Sequence, residues 1–558
     1  MKSVVTCILI LMISILSANY VENQAFNYLQ PDGKQLELMV TGDEYYRRMH
    51  DKAGYTVLRH PDTGYAVYAI QRNGEIVASD YKVGQIDPVS LNIPPSLKHN
   101  KQQIEAVTNE LRPEQGTNNV RISTIGTVNN IFIFVRFLDQ TEYTTPIAEY
   151  ESLCNSMVNP SMRGYFLEDS SGQLTVNTSF FPNPEDGIVR SFQDGHNRGY
   201  FSPYDATTNP IGYSSGTNGR SRMHALMRTA VNIISPSVPS NLNVDGDGDA
   251  FVDNVTFVFK GEADPIWLSQ LWPQQSFLDY NPLIYETVTI NNKIVSCYNI
   301  QLSDQLIEPV NNTVNRIGVV CHEMSHSFGF PDLYHTTDDN LNPVGPWELM
   351  GADGYVPQPH FAYQKMKYGN WVGSIPTLTP TSTPTTYTLT SINESPFACY
   401  KIPSSSPNQF YVVEYRRRNA SYGNSLPGSG LIVYRVTTSY QVGTITIPLE
   451  GNSDGPPDEI YVYRPNGRPD FDGTVNSANL SRSVGRPSIY GSSDPDPWLY
   501  NATATWRIDG NLMITDITEN TGSTISFTLH GANLNVWKGD TDEYWNVASN
   551  WSLGIVPN

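Results

Sequence analysis

The chain has 558 residues, with 35 Lys and Arg against 55 Asp and Glu, which gives a formal net charge of −20. This length predicts several domains, each large enough to bury a core. Contents of 39% hydrophobic and 11% aromatic residues exclude a disordered chain, and the acidic balance argues against nucleic acid or an anionic membrane as the partner.

The first 23 residues have the features of a signal peptide. Lys2 gives a positive start, residues 4–16 form an apolar run, and Ser17 and Ala18 supply small residues near a cleavage point. The run is too short for a stable bilayer-spanning helix, and no later stretch reaches the roughly 18 apolar residues that such a helix needs. The sequence therefore predicts a secreted protein with no membrane span.

The next two regions are predicted to form a leader and its connection to the rest of the chain. Residues 24–92 contain short alternating apolar and polar runs between turn residues, a pattern typical of strands and hairpins. Residues 93–125 are polar and read as a linker, helical at most near its centre. An exposed linker suits proteolytic removal of a leader.

Four further regions follow. Residues 126–373 alternate apolar strands with helical stretches, which predicts an α+β catalytic core with a mixed sheet and an active-site helix. Residues 374–386 are rich in Pro and Thr and indicate a stiff linker. Residues 387–530 contain only strand-like segments, which predicts a β-sandwich. Residues 531–558 begin a further Trp-rich module (Trp537, Trp545 and Trp551) that is too short to bury a core and is expected to be truncated.

The strongest chemical signal is a metal-binding helix. His322 and His326 are four residues apart, so both imidazoles project from one face of a helix and can bind one Zn²⁺. Glu323, beside the first histidine, can take a proton from a water at the open position of the metal. The alternative interpretation of such a motif is an ordinary surface helix with two histidines that bind no metal.

The residues after the helix predict the third ligand. Gly329 provides a left-handed helix end and Pro331 forbids continuation, so the chain turns and can bring Asp332 to the metal. Met350, followed by Gly, suits the methionine turn found beneath metzincin sites. Glu348 is a competing third ligand by its spacing, but the segment before it is a poor helix, so Asp332 is favoured.

The chain resembles the M6 (immune inhibitor A-like) secreted metalloproteases. The matching residues are the motif from His322 to Tyr334, the Met350 turn, and segments in the leader (residues 43–46 and 54–57) and in the C-terminal β region. Ser325 departs from the family pattern, which usually has Gly there, and zinc binding is expected to survive the change. The resemblance implies a zinc endopeptidase with Glu323 as general base. The alternative is a secreted adhesin or polymer-binding protein on an inactive protease-like scaffold, which the clustered C-terminal tryptophans would suit.

An acidic loop predicts a second metal site. Asp245, Asp247, Asp249 and Asp253 alternate with glycine and small residues, which lets oxygen ligands surround Ca²⁺. The loop lacks the glutamate that closes an EF-hand, and a solvated acidic turn is nearly as good an interpretation. Crowding of four negative charges slightly favours the cation.

The cysteines limit how the leader could silence the enzyme. No cysteine lies between Cys7 and Cys154, so a leader thiolate cannot block the zinc. Latency of a zymogen would therefore use a carboxylate, an imidazole or steric cover. Cys154, Cys297, Cys321 and Cys399 fit either one or two disulfides or four buried thiols.

Overall fold

The structure, a computed structural model of the chain, describes residues 20–111, 122–158, 160–278, 287–307, 317–336, 341–392, 394, 398–418, 422–501, 506–531, 541, 544, 546–547 and 550. Residues 1–19 of the predicted signal peptide lie outside the described residues, as do Trp537, Trp545, Trp551 and most of the predicted C-terminal module. Within the described ranges, no helix has both the length and the apolar character needed to cross a bilayer.

The leader region consists of two small antiparallel sheets and one helix. Along the second strand, Leu38 and Val40 are buried while Glu37 is exposed, so the alternating sequence pattern becomes one apolar face. The sheets have the orders β1-β2-β3 and β4-β5-β6. The elements are β1 (Val21–Leu29), β2 (Gln35–Gly42), β3 (Arg47–His50), β4 (Val57–Arg59), β5 (Ala66–Arg72), β6 (Glu75–Lys82) and α1 (Lys101–Leu111).

The central region mixes strands and helices. Its strands are β7 (Gly126–Arg136), β8 (Leu174–Phe181), β9 (Phe192–Gln193), β10 (Asn254–Phe259), β11 (Gln274–Phe277), β12 (Thr289–Ile290), β13 (Lys293–Ile294) and β14 (Cys297–Leu302). Its helices are α2 (Ile147–Asn155), α3 (Met162–Asp169), α4 (Gly216–Ile234), α5 (Ser303–Leu306), α6 (Ile317–Ser327) and α7 (Ala362–Lys367).

The main sheet of this region has the order β11-β14-β10-β7-β8, and β9 also pairs with β7. Strands β14, β10, β7 and β8 are parallel, and β11 is an antiparallel edge. Phe132 and Phe134 of β7 pack on the face that carries α2, α3 and α6, whereas Ile131 and Ile133 pack on the face that carries α4. Burial of both faces explains why β7 and β10 are continuous apolar runs.

The C-terminal region is made of strands. They are β15 (Thr385–Thr390), β16 (Cys399–Pro403), β17 (Gln409–Arg416), β18 (Gly430–Thr437), β19 (Ser439–Val442), β20 (Ile445–Pro448), β21 (Ile460–Val462), β22 (Ile489–Tyr490), β23 (Trp498–Asn501), β24 (Trp506–Asp509), β25 (Met513–Thr515) and β26 (Thr524–Leu529). Two four-stranded sheets, β15-β26-β25-β22 and β16-β17-β18-β21, face one another across a shared core.

The second of these sheets also packs on the central region. Ile432 and Tyr434 of β18 belong to the same hydrophobic core as Trp347 and Met350. Arg416 of β17 is buried and donates hydrogen bonds to the carbonyl oxygens of Trp347 and Pro359, both at 2.7 Å. The floor of the helix α6 region is therefore completed by strands some 70 to 110 residues further along the chain.

The predicted α+β fold with additional β-rich regions is confirmed. Cys154, Cys297, Cys321 and Cys399 are buried free thiols, which matches the second of the two interpretations of the cysteines.

Candidate active site

Helix α6 places both histidines at the edge of the core. Val320 and Met324 are buried in the hydrophobic core and fix the helix against α3 and the main sheet. Ser325 is fully buried, and its hydroxyl donates to the carbonyl oxygen of Cys321 at 2.8 Å. The serine is therefore accommodated within the helix without an unpaired hydroxyl.

The helix ends as its sequence predicts. Gly329 adopts φ +87°, and its N–H donates to the carbonyl oxygen of His326 at 2.8 Å. The N–H of Phe330 donates to the carbonyl oxygen of Ser325 at 3.0 Å. Because Pro331 follows, the chain reverses and carries Asp332 back toward the two imidazoles.

The three predicted donor atoms meet at one point. The Nε2 atoms of His322 and His326 are 3.0 Å apart, and Oδ1 of Asp332 lies 3.3 Å from the first and 3.2 Å from the second. Ligand atoms held about 2.0–2.1 Å from a tetrahedral Zn²⁺ are ~3.4 Å apart. The spacing of this donor set therefore fits one zinc-sized ion.

The tautomers of the two imidazoles fit the same ion. Nδ1 of His322 lies 3.3 Å from the carbonyl oxygen of Leu349, and Nδ1 of His326 lies 2.8 Å from that of Phe330. A carbonyl oxygen can only accept, so each Nδ1 carries a proton. Each Nε2 is therefore the atom that would hold a cation once its own proton has left.

The charges of the site are strongly coupled. Burial opposes ionisation of Asp332, yet the positive charge of His326 and hydrogen bonds from both imidazoles hold the pKa of Asp332 well below its usual range. Burial likewise opposes protonation of His326, but Asp332 raises the pKa of His326 to about 9. Without a metal, the site is thus an ion pair between these two side chains.

Glu323 lies outside the donor cluster that His322, His326 and Asp332 form. Its side chain is buried, and among the described residues its Oε2 atom has no hydrogen-bond partner. Burial, and then the charges of Asp332 and Asp353, raise the pKa of Glu323 well above its usual range. Its carbonyl oxygen accepts a hydrogen bond from Asn299 of β14 at 2.9 Å, which ties α6 to the sheet.

The Met350 turn lies under the ligands. Met350 is fully buried, and its carbonyl oxygen accepts from the N–H of Leu333 at 2.9 Å. Oε2 of Glu348 accepts from the N–H of Met350 at 2.6 Å, and its Oε1 lies 3.8 Å from Nε2 of His360. The carboxylate of Glu348 is therefore engaged beneath the turn, and the metal-sized cluster of described residues contains Asp332 instead.

A cleft of about 760 Å³ opens beside the ligands and is built from three parts of the chain. His326 and Asp332 line it from the central region, Glu450 and Asp454 line it from the C-terminal region, and Tyr45 lines it from the leader. No pattern in the sequence predicted that Glu450, Asp454 or Tyr45 would line the cleft, because all three lie more than 100 residues from the motif.

The acidic loop brings together three of its four predicted ligands. Asp245, Asp247 and Asp253 offer oxygen atoms within 4.8 Å of one another, whereas Asp249 accepts from the N–H of Phe251 at 2.8 Å. Nζ of Lys293 lies 2.5 Å from Oδ2 of Asp245, so part of the negative charge already has a partner. Calcium binding stays a prediction.

Two imidazoles and a carboxylate that meet at one point, with a glutamate beside the first histidine and a cleft next to them, are an arrangement found in zinc peptidases. Residues 263–386 match the family described as immune inhibitor A peptidase M6, catalytic domain. This match confirms the resemblance drawn from the sequence, and the matched segment contains the His322, His326 and Asp332 cluster. No curated protein matches the chain.

Proposed function

We propose that the chain is a secreted, zinc-dependent endopeptidase with a metzincin-like active site, made as a zymogen. The observation that carries the proposal is the meeting of the Nε2 atoms of His322 and His326 with Oδ1 of Asp332, at mutual distances of 3.0–3.3 Å. The spacing fits tetrahedral zinc, and the M6 match over residues 263–386 supports peptide-bond hydrolysis as the reaction.

The residues of the chain have distinct parts in this mechanism. When bound, zinc supplies a Lewis acid that polarises a water and the scissile carbonyl group. His322, His326 and Asp332 hold the ion, and the carbonyl oxygens of Leu349 and Phe330 keep both imidazoles in the required tautomer. Glu323 would accept the proton of the attacking water and return it to the leaving amine.

The cleft supports an endopeptidase rather than an enzyme for chain ends. Besides His326 and Asp332, its lining includes Phe277 of β11 and Tyr440 of β19, and its volume is about 760 Å³. An extended peptide can therefore lie across the ligands with residues on either side of the scissile bond. Secretion rests on the predicted signal peptide and on the M6 match.

The experiment compares wild type with Glu323→Gln and with Glu151→Gln, an exposed glutamate of α2 as the matched control. Each secreted protein is assayed on gelatin and casein before and after limited trypsin treatment that is stopped with a serine-protease inhibitor, and its zinc content is measured. We expect one zinc per chain in all three proteins. Turnover should fall about 10²–10⁴-fold in Glu323→Gln alone, because the general base is lost while the ligands remain.

Two results would contradict the proposal in different ways. Substantial turnover by Glu323→Gln would remove this glutamate from the mechanism. A wild-type protein that binds zinc but cleaves neither substrate, even after trypsin and in the absence of chelator, would support the alternative of a binding protein on an inactive scaffold.

A further inference from the structure

His360 is a fully buried side chain between helix α3 and the Met350 turn. Its Nδ1 atom lies 2.6 Å from Oδ2 of Asp169, the last residue of α3, and its Nε2 atom lies 3.8 Å from Oε1 of Glu348. His360 is not one of the three residues whose donor atoms meet at the metal position. Its ring instead connects a helix of the core to the turn behind that position.

The Asp169 side of the ring is held by several polar groups. A carboxylate can only accept, so Nδ1 of His360 carries a proton and donates it to Asp169. Nζ of Lys365 lies 2.7 Å from Oδ1 of the same carboxylate. The hydroxyl of Tyr165 lies 3.0 Å from Nδ1. These contacts fix the orientation of the ring and direct Nε2 toward Glu348.

One face of the His360 ring packs on Phe330. The two ring centroids are 4.1 Å apart, and the ring planes are inclined by 38°. Trp371 packs on the same phenylalanine, with ring centroids 5.2 Å apart. The carbonyl oxygen of Phe330 accepts from Nδ1 of His326 at 2.8 Å. Because side chain and carbonyl group belong to one residue, the contact with His360 helps to fix the oxygen that orients the second metal-binding imidazole.

The Nε2 edge of the same ring faces the support of the first imidazole. Oε2 of Glu348 accepts from the N–H of Met350 at 2.6 Å. The residue between them, Leu349, has its carbonyl oxygen 3.3 Å from Nδ1 of His322. Glu348 therefore shapes the turn that presents this oxygen, and His360 lies against the other oxygen of the Glu348 carboxylate.

This arrangement is unfavourable for stability alone. Nε2 of His360 and Oε1 of Glu348 are buried, and within the described part of the chain neither atom has a hydrogen-bond partner. An apolar side chain at this position would avoid that cost. Buried polar groups that are kept against stability are expected at functional sites rather than in ordinary cores.

We propose that His360 is a positioning residue of the metal site. By holding Phe330 on one side and Glu348 on the other, it fixes the two carbonyl oxygens that orient the imidazoles of His326 and His322. This inference rests on the proposed function. Hydrogen-bond partners behind metal-binding histidines set the direction of the ligand atoms, and one residue that holds both partners couples the two ligands to each other.

The test measures metal binding by the full chain, in a Glu323→Gln background that prevents autolysis. His360→Gln removes the ring that packs on Phe330. His224→Gln is the matched control, because His224 of α4 is also a buried histidine with a polar partner, the hydroxyl of Tyr298 at 3.1 Å, on the opposite face of the main sheet. Zinc affinity is measured by competition with a chelator, visible spectra are recorded with Co²⁺ in place of zinc, and melting curves are recorded without metal.

We expect the two variants to differ in a way that lost stability does not explain. Both should melt below the parent, because each loses a buried hydrogen bond. His360→Gln should bind one zinc per chain with an affinity at least about tenfold weaker than that of the parent. Its Co²⁺ spectrum should also change, since the visible bands report the geometry of the ligands. His224→Gln should match the parent in zinc affinity and in the Co²⁺ spectrum.

Equal zinc affinity and an unchanged Co²⁺ spectrum in His360→Gln would overturn the inference and leave the proposed function intact. Zinc binding by none of the proteins would refute the proposed function, and the inference with it. If His360→Gln does not fold, His360→Phe replaces it. That variant fills the same space with a ring and loses the nitrogen that faces Glu348, so weaker zinc binding is again expected, and unchanged binding would again overturn the inference.

Discussion

Removal of the Glu348 side chain should destabilise the protein and leave its zinc in place. Glu348 is fully buried, and its Oε2 accepts from the N–H of Met350 at 2.6 Å. Glu348→Ala leaves that N–H without a partner and opens a cavity beside His360. Glu348→Gln is the matched variant, because its amide oxygen can still accept from Met350.

The expected loss follows from these contacts. An unsatisfied buried donor costs about 1–3 kcal/mol, and a cavity left by a truncated buried side chain adds to it. A total of ~3 kcal/mol would lower the melting temperature by roughly 6–12 °C in a domain of this size. Glu348→Gln should lose less than half of that, because the hydrogen bond to the turn persists.

The assay is calorimetry together with zinc analysis after dialysis, on full-length proteins that carry Glu323→Gln. Asp332→Ala is the opposing variant, since it removes one of the three atoms that meet at the metal position. We expect zinc to be lost from Asp332→Ala and retained by both Glu348 variants. Zinc lost only from Glu348→Ala would show that the third ligand had been assigned to the wrong carboxylate and would take the protein out of the metzincin group.

Two predictions concern pH. Burial raises the pKa of Asp253 to about 6. The protonated side chain therefore stabilises the folded state fully below about pH 4, and this stabilisation is lost as the pH rises through 6. Millimolar Ca²⁺ should abolish this loss and raise the melting temperature by several degrees. Asp253→Asn should abolish the pH dependence without raising the melting temperature. A melting curve unaffected by Ca²⁺ would show that the loop is a solvated turn. Burial lowers the pKa of His99 to about 4, and its ring lies 4.3 Å from that of Trp267. The neutral ring therefore favours leader docking above about pH 6.5, and this contribution is lost as the pH falls through 4. Trypsin release of the leader should be faster at acid pH in wild type than in His99→Phe, and equal rates would contradict this role.

The sequence predicted the parts of the site that depend on local rules. His322 and His326 share a helix face because they are four residues apart, and Gly329 and Pro331 end the helix wherever it packs. These rules predict that the chain returns Asp332 to the two histidines, and they require no knowledge of the tertiary structure. The strands β7 and β10 were also predictable, since a parallel strand buried on both faces is apolar throughout.

Other features depended on partners far away in the chain. Strand β14 is wholly buried although it contains Asn299 and Gln301, and no strand was predicted there. Asn299 is satisfied in the interior by Asn254, at 2.8 Å, and by the carbonyl oxygen of Glu323. A single sequence does not reveal such pairs, and for the same reason it did not place Tyr45 in the cleft that His326 and Asp332 line.

Because β17 and β18 pack against the Met350 turn, the core beneath helix α6 can be completed only late in synthesis of the chain. A ribosome releases the metal-binding helix long before Arg416 and Tyr434, which complete the core beneath that turn. Until those strands emerge, part of the hydrophobic core beneath the helix is missing, and the nascent chain remains incompletely packed. A chain terminated before residue 430 lacks β18 and β21 and cannot form this core. The packing beneath the metal motif is thus completed only when residues more than 100 positions after His322 have been made.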